Sequence, residues 1–223
     1  MRTVDLSTII DPKYSTRVCS VFRKYQRDTK DYHSVLTCES HLGTHIESPH
    51  HYKTDWPDFT RFPPSFFCGR AVLLRLPTPP KHFIIRNDLE QAAAGLVKPG
   101  DIILLDSNHH AEPFLQDPAD PRPQLGAVAA NWLVTRQAKA VGFGDGIAIE
   151  NDVAASCAFH EITLGHNIFI IEVLRGLHDL QSEVCFFSAQ PMPIHGLDSC
   201  CVRAVAIEGI PGFTPEDTPT AGT

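Results

Sequence analysis

Apolar residues gather in short unbroken runs, at 71–74, 102–105 and 168–171, rather than in long amphipathic stretches. Runs of that length, bounded by turn residues, predict strands buried on both faces. Residues 184–188 and 202–207 predict two more. Helical spacing is rarer. Residues 88–93 read as a helix capped by Asn87 and closed at Gly95. Residues 127–139 carry helical apolar spacing and lead into a strand at Ala140-Val141-Gly142. Lys98-Pro99-Gly100-Asp101 is a turn before a strand, because proline presets φ and glycine permits φ > 0. The segment 113–123, rich in proline and aspartate, predicts a loop without regular structure, and the chain after Gly209 a fraying tail. Strands outnumber helices and do not alternate strictly with them. The fold class expected is therefore mixed α/β, not doubly wound.

Composition narrows the field. The 223 residues are 43% hydrophobic and 20% charged, enough to bury a sizeable core, and read as one domain over 1–210 with a tail at 211–223. A net charge of -7 without a dense Lys/Arg stripe argues against nucleic acid. The basic cluster Arg23-Lys24, Arg27 and Lys30 reads as a solvated face. No apolar stretch is long enough to cross a bilayer, and Met1-Arg2-Thr3-Val4-Asp5 does not open a signal peptide, so the expected setting is cytoplasmic. The seven cysteines show no Cys-x-x-Cys pair and no disulfide spacing, and Cys200-Cys201 read as small apolar residues near a strand.

The chemistry concentrates in one place. Five histidines lie between His33 and His51, and the centre of that cluster reads His41-Leu42-Gly43-Thr44-His45-Ile46-Glu47-Ser48-Pro49-His50-His51. Imidazole with carboxylate suits zinc or manganese, and a spare histidine can move a proton near neutral pH. His41 and His45 are spaced as on a helix, but Gly43 between them and Pro49 after them favour an extended segment or tight turn. In extended backbone alternate residues face the same way, so His45 and Glu47 can aim at one ion. His33 reads as a surface or core residue.

A single stretch seldom completes a site. Glu172 ends an apolar strand, where a buried carboxylate needs a partner: a metal, or Arg175 in a plain salt bridge. His160 opens a helical or turn segment upstream of it. His160-Glu161-Ile162-Thr163-Leu164 starts like a zincin helix but has leucine where the second histidine belongs. Gly142-Phe143-Gly144-Asp145-Gly146 has the wrong spacing for a dinucleotide loop. Neither a Gly-x-Ser-x-Gly elbow nor a Walker A sequence occurs.

With these residues in view, the chain resembles the cyclase family of metal-dependent hydrolases, which includes bacterial kynurenine formamidases and isatin hydrolases. The family pattern His-x-Gly-Thr-His-x-Asp-x-Pro-x-His stands here from His41 to His51, with Glu47 in the aspartate position. Asp5-Leu6-Ser7, the Lys98–Asp101 turn, the His160 to Glu172 spacing, and Pro191 with Val202-Arg203-Ala204-Val205-Ala206 extend the likeness over most of the chain. The resemblance implies that His41, His45, Glu47, His160 and Glu172 hold one or two divalent ions, zinc or manganese, with Glu47 bridging and Glu172 touching both. It implies His51 as the catalytic acid/base, leaving His50 to orient a ligand or lie exposed. It also implies a swivelling β/β/α-type fold, a barrel-like mixed sheet packed by helices, assembled as a homo-oligomer (dimer or tetramer).

Kynurenine formamidases carry an N-terminal tryptophan that stacks on the substrate. Here the first tryptophan is Trp56, after the motif, and the aromatics before the motif are Tyr14, Phe22, Tyr25 and Tyr32. The expected function is hydrolysis of a small non-peptide amide, formamide, lactam or ester by a metal-activated water. The alternatives are a polyketide-type cyclase or dehydratase, and a non-catalytic metal-binding module.

Overall fold

A computed structural model of the chain describes residues 1–112 and 119–215. In chain order the strands are β1 (Arg2–Asp5), β2 (Cys19–Gln26), β3 (Asp31–Cys38), β4 (His45–Glu47), β5 (Cys68–Leu76), β6 (Ile102–Ser107), β7 (Ala140–Gly144), β8 (Phe169–Leu174), β9 (Val184–Ser188), β10 (Ser199–Cys201) and β11 (Val205–Glu208). The helices are α1 (Arg86–Ala93), α2 (Ala127–Thr135) and α3 (Val153–Gly165). Nine strands form one mixed sheet in the order β1-β11-β9-β5-β6-β7-β8-β4-β10, while β2 and β3 pair as a separate hairpin.

The unbroken apolar runs are the centre of this sheet, where β5, β6, β7 and β8 are parallel. Both faces of these strands are covered, so neither can be polar. Val72, Leu74, Ile103, Leu105, Val141 and Ile170 pack with Ala129, Trp132, Leu133 and Phe159 on the helix side. Ala71, Leu73, Ile102, Leu104, Phe169 and Ile171 pack on the other face with Leu6, Phe59, Phe67 and Phe187.

The predicted strand at 202–207 forms only from Val205, as β11, and a separate short strand, β10, precedes it. β10 pairs with β4 at one end of the sheet, whereas β11 sits between β1 and β9 at the other. Only residues 202–204 join them, so the two ends must lie close and the sheet is curled into a half-barrel. Along the crossing the Val202 N–H donates to Thr44 O and the Leu6 N–H to Ala204 O. The mixed α/β fold with a barrel-like sheet packed by helices is thus present.

Smaller differences have local causes. α1 starts at Arg86, not after Asn87, because the Asp88 carboxylate accepts the Ile85 N–H at 2.9 Å. It ends, as expected, at Ala94 and Gly95, both with positive φ. α2 stops at Thr135, four residues short of Lys139, where Gln137 turns to φ 55. The β2–β3 hairpin escaped the pattern because most of its side chains face solvent, the Arg23, Lys24, Arg27 and Lys30 cluster included. Of the predicted loop, residues 113–118 lie outside the described residues, as do 216–223 of the tail. The tail's first part packs, with Phe213 against Phe186 at 5.3 Å between centroids.

Candidate metal centre

β4 is three residues long and pairs on both sides, with β8 and with β10. Ile46 points into the core opposite the helices, so His45 and Glu47 must point toward them. The register sets His45 directly against Glu172 of β8, the close cross-strand position. α3 packs on this side and brings His160. Asp152 caps that helix by accepting the Ala155 N–H at 2.9 Å. His160 therefore sits in the third helical turn and does not open the segment. Glu172 is likewise inside its strand, which continues to Leu174.

The turn before β4 carries His41. It depends on Gly43, whose φ is +59 and where a Cβ would come within 2.9 Å of Ile10. After β4, a 3-10 turn at Pro49–His51 lifts His51 over the same spot. All six predicted side chains therefore converge. His41 Nε2 lies 3.1 Å from Glu47 Oε1, His160 Nε2 3.3 Å from Glu47 Oε2, and His45 Nε2 3.5 Å from Glu172 Oε2. His45 and His51 each place Nε2 3.7 Å from Glu47 Oε1, and His160 Nε2 is 3.8 Å from Glu172 Oε1.

Arg175 is not the partner of Glu172. It pairs instead with Glu112 and reaches Asp145 at 3.9 Å. His50 turns away and bonds through Nδ1 to Trp56 O at 3.2 Å. Trp56 stacks on Tyr52 and lies against Gly165 at the end of α3, so it packs the scaffold. His33 is exposed on β3.

One carboxylate was missed. Asp198, just before β10, places Oδ2 3.5 Å from His51 Nδ1 and 3.8 Å from His41 Nδ1. Nothing in its local sequence marks it. Only the β10–β4 pairing, made by short strands distant in sequence, brings it here.

Hydrogen bonds orient the rings. His45 Nδ1 bonds to Gly43 O at 2.8 Å and His160 Nδ1 to Ser156 O at 2.8 Å, so each ring turns Nε2 inward. His45, Glu47 and Glu172 are all buried. Burial opposes charge on His45, yet the Glu172 and Glu47 carboxylates beside it override that and raise its pKa to about 10. Burial also opposes charge on His160, but Glu47 raises its pKa to about 9. Burial would raise Glu47, while His160, His41 and His45 together hold it well below the usual carboxylate range.

A cation fits this donor set. The Nε2 atoms of His41 and His45 and Oε2 of Glu47 are buried at ionic distance from their neighbours, yet meet no hydrogen-bond partner among the described residues. Inward-facing lone pairs left unmatched in a buried, carboxylate-rich pocket are costly unless a positive charge is shared among them. His41, His45 and Glu47 form one such ligand group and Glu47, His51 and His160 another. Nitrogen and oxygen donors without sulfur suit zinc and manganese alike.

Two cavities border the centre. One, of about 400 Å³, is lined by Thr8, Tyr14, Arg17, His41 and Glu112. The other, of about 510 Å³ and mostly apolar, reaches Ser40 and Asp198.

Comparison with solved structures finds the same fold at low identity. Isatin hydrolase A from Ralstonia solanacearum is 20% identical, with a TM-score of 0.72 over 92% of this chain and 91% of that one. Isatin hydrolase A from Labrenzia aggregata, bound to benzyl benzoate, is 16% identical with a TM-score of 0.73 over 92% and 93%. A "predicted metal-dependent hydrolase" from Bacillus stearothermophilus is 20% identical with a TM-score of 0.68 over 92% and 97%. No curated protein matches the chain in sequence. The family model described as "Putative cyclase" matches residues 4–151, a span that includes the whole histidine motif. The chain therefore belongs to the cyclase family.

Proposed function

We propose that the protein is a metal-dependent hydrolase of a small non-peptide amide, formamide, lactam or ester. The observation that carries this reading is the convergence of His41, His45, Glu47, His160 and Glu172, with unmatched lone pairs, beside a cavity of about 400 Å³. A cavity of that size takes a small molecule and little more. These five residues hold one or two divalent ions, zinc or manganese. Such an ion lowers the pKa of water toward neutrality and polarises a carbonyl.

The chain's own groups supply the rest. On its far side His51 faces a half-exposed carboxylate, Asp198 at 3.5 Å, nearer than His41 does at 3.8 Å. Asp198 orients the ring, so Nε2 faces the pocket beside Glu47. From there His51 takes the proton of the attacking water and returns it to the leaving atom. Acid/base help of this kind is worth about 10²–10⁴-fold. His51→Ala should lose that factor and keep the metal, whereas His41→Ala should lose the metal. Turnover by His51→Ala near the wild-type rate on a good substrate would refute the role. Product mass separates the reactions, since hydrolysis adds water and a dehydrating cyclisation removes it.

The same reading includes a cytoplasmic setting and assembly as a homo-oligomer. The hairpin β2–β3 exposes Val21, Phe22, Tyr25, Tyr32, Val35 and Leu36. A two-stranded hairpin is marginal alone, and an apolar patch of this kind marks a contact surface. Sedimentation should show a dimer or tetramer, and a monomer at micromolar concentration would contradict the assembly.

A further inference from the structure

Outside the centre, a second group of ligand-type side chains stands at the ends of β6 and β8. Asp106 is the penultimate residue of β6 and is buried. Beyond it the chain folds back on itself. The His109 N–H donates to Ser107 Oγ at 3.0 Å, that hydroxyl donates to Gly146 O at 2.6 Å, and the Ala111 N–H donates to Asp145 O at 2.9 Å. Held on both sides, His110 lies over Asp106, with Nε2 3.1 Å from Oδ1. His178 arrives from a different element, the 3-10 turn Leu177–Asp179 after β8, which is anchored by the fully buried Leu177. The His110 and His178 rings are 4.9 Å apart.

We propose that Asp106, His110 and His178 form a second, peripheral site for a divalent transition metal such as zinc. One ligand atom from each lies within 4.8 Å of the other two. Metal–ligand distances of about 2.0–2.2 Å require these atoms to close in by roughly an ångström. The two imidazoles, with side chains 36% and 50% exposed, have the freedom to do so.

Two carboxylates, Asp106 and Asp145, stand at this spot, each also facing an arginine, Arg75 and Arg175. Asp106 Oδ2 faces Arg75 at 3.8 Å, which leaves Oδ1 toward the imidazoles. Asp145 stands close by, and its Oδ1 is buried with no hydrogen-bond partner among the described residues. An ion pair of Asp106 with His110 alone would leave His178 no role beyond its contact with Asp179 at 3.8 Å. With two imidazoles, one carboxylate and open positions, the donor set matches a three-ligand site completed by water.

The site shares no side chain with the central cluster and does not depend on the proposed reaction. The test is zinc titration of metal-free, tag-free protein, read as bound equivalents by native mass spectrometry and chelator competition. His110→Ala/His178→Ala should bind one zinc fewer than wild type, with unchanged turnover at saturating metal. In a His45→Ala background, which empties the centre, one zinc should remain, and adding His178→Gln should remove it. Because His110 and His178 are exposed, neither substitution threatens folding, and circular dichroism checks this. Equal zinc equivalents in wild type and His110→Ala/His178→Ala would overturn the peripheral site. Loss of all zinc in His45→Ala would also overturn it, while leaving the central reading intact.

Discussion

Glu47 is the residue on which the centre turns. It is buried, faces four histidines within 3.7 Å, and occupies the position where the family pattern has aspartate. Both of its oxygens lie within ionic distance of imidazoles, Oε1 of His41, His45 and His51 and Oε2 of His160. The motif residues were legible because chemistry and spacing coincide in one short stretch. Asp198 was not, because a lone aspartate carries no pattern of its own. Its role predicts that Asp198→Asn keeps the metal but lowers kcat about 10–100-fold, the usual cost of losing a group that orients another. Steady-state kinetics with parallel metal analysis would check this, and an unchanged kcat would remove Asp198 from the account.

At the scale of elements, the centre is assembled by the shortest pieces. β4, β10 and the 3-10 turns at Pro49–His51 and Phe59–Arg61 are each three residues long, below what periodicity can detect. The long buried strands were readable because burial on both faces leaves no polar position in the run. The start of the His160 helix is not legible from the histidine, because its polar N-terminal cap, Asp152, lies well before it. Asp58 shows how the short elements are pinned. Its carboxylate caps the turn at Phe59–Arg61, accepting from Thr60 at 2.8 Å and 2.6 Å, and also accepts the Gly196 N–H at 2.8 Å. These bonds, the Gly196 amide foremost, pull its pKa well below the carboxylate range. The folded state thus favours the charged form. The resulting stability is full above the unfolded pKa of about 3.9 and fades as pH falls toward the depressed folded value. Asp58→Ala should cost about 1–2 kcal/mol at pH 7, and each kcal/mol lowers Tm by roughly 2–4 °C. The gap from wild type should shrink below pH 4. A gap that widens on acidification would contradict the assignment.

Across the whole molecule, curling of the sheet makes the site. Residues 202–204 link its two ends, and the paired edge β8-β4-β10 holds His45, Glu47 and Glu172 against α3. The curl was not legible, because it depends on which distant short strands pair. Mixed α/β class and family were, because they rest on the buried runs and on the His41–His51 motif. Among the described residues no helix is long and apolar enough to cross a membrane. The most direct test of the account is the metal content of tag-free protein purified without added metal, measured on His178→Ala so that the peripheral ion does not enter the count. One or two zinc or manganese ions per chain, lost on His45→Ala, is the predicted result: two support a Glu47-bridged pair and one a single-ion site. Protein that holds no metal, and takes up none on reconstitution, would contradict the central claim.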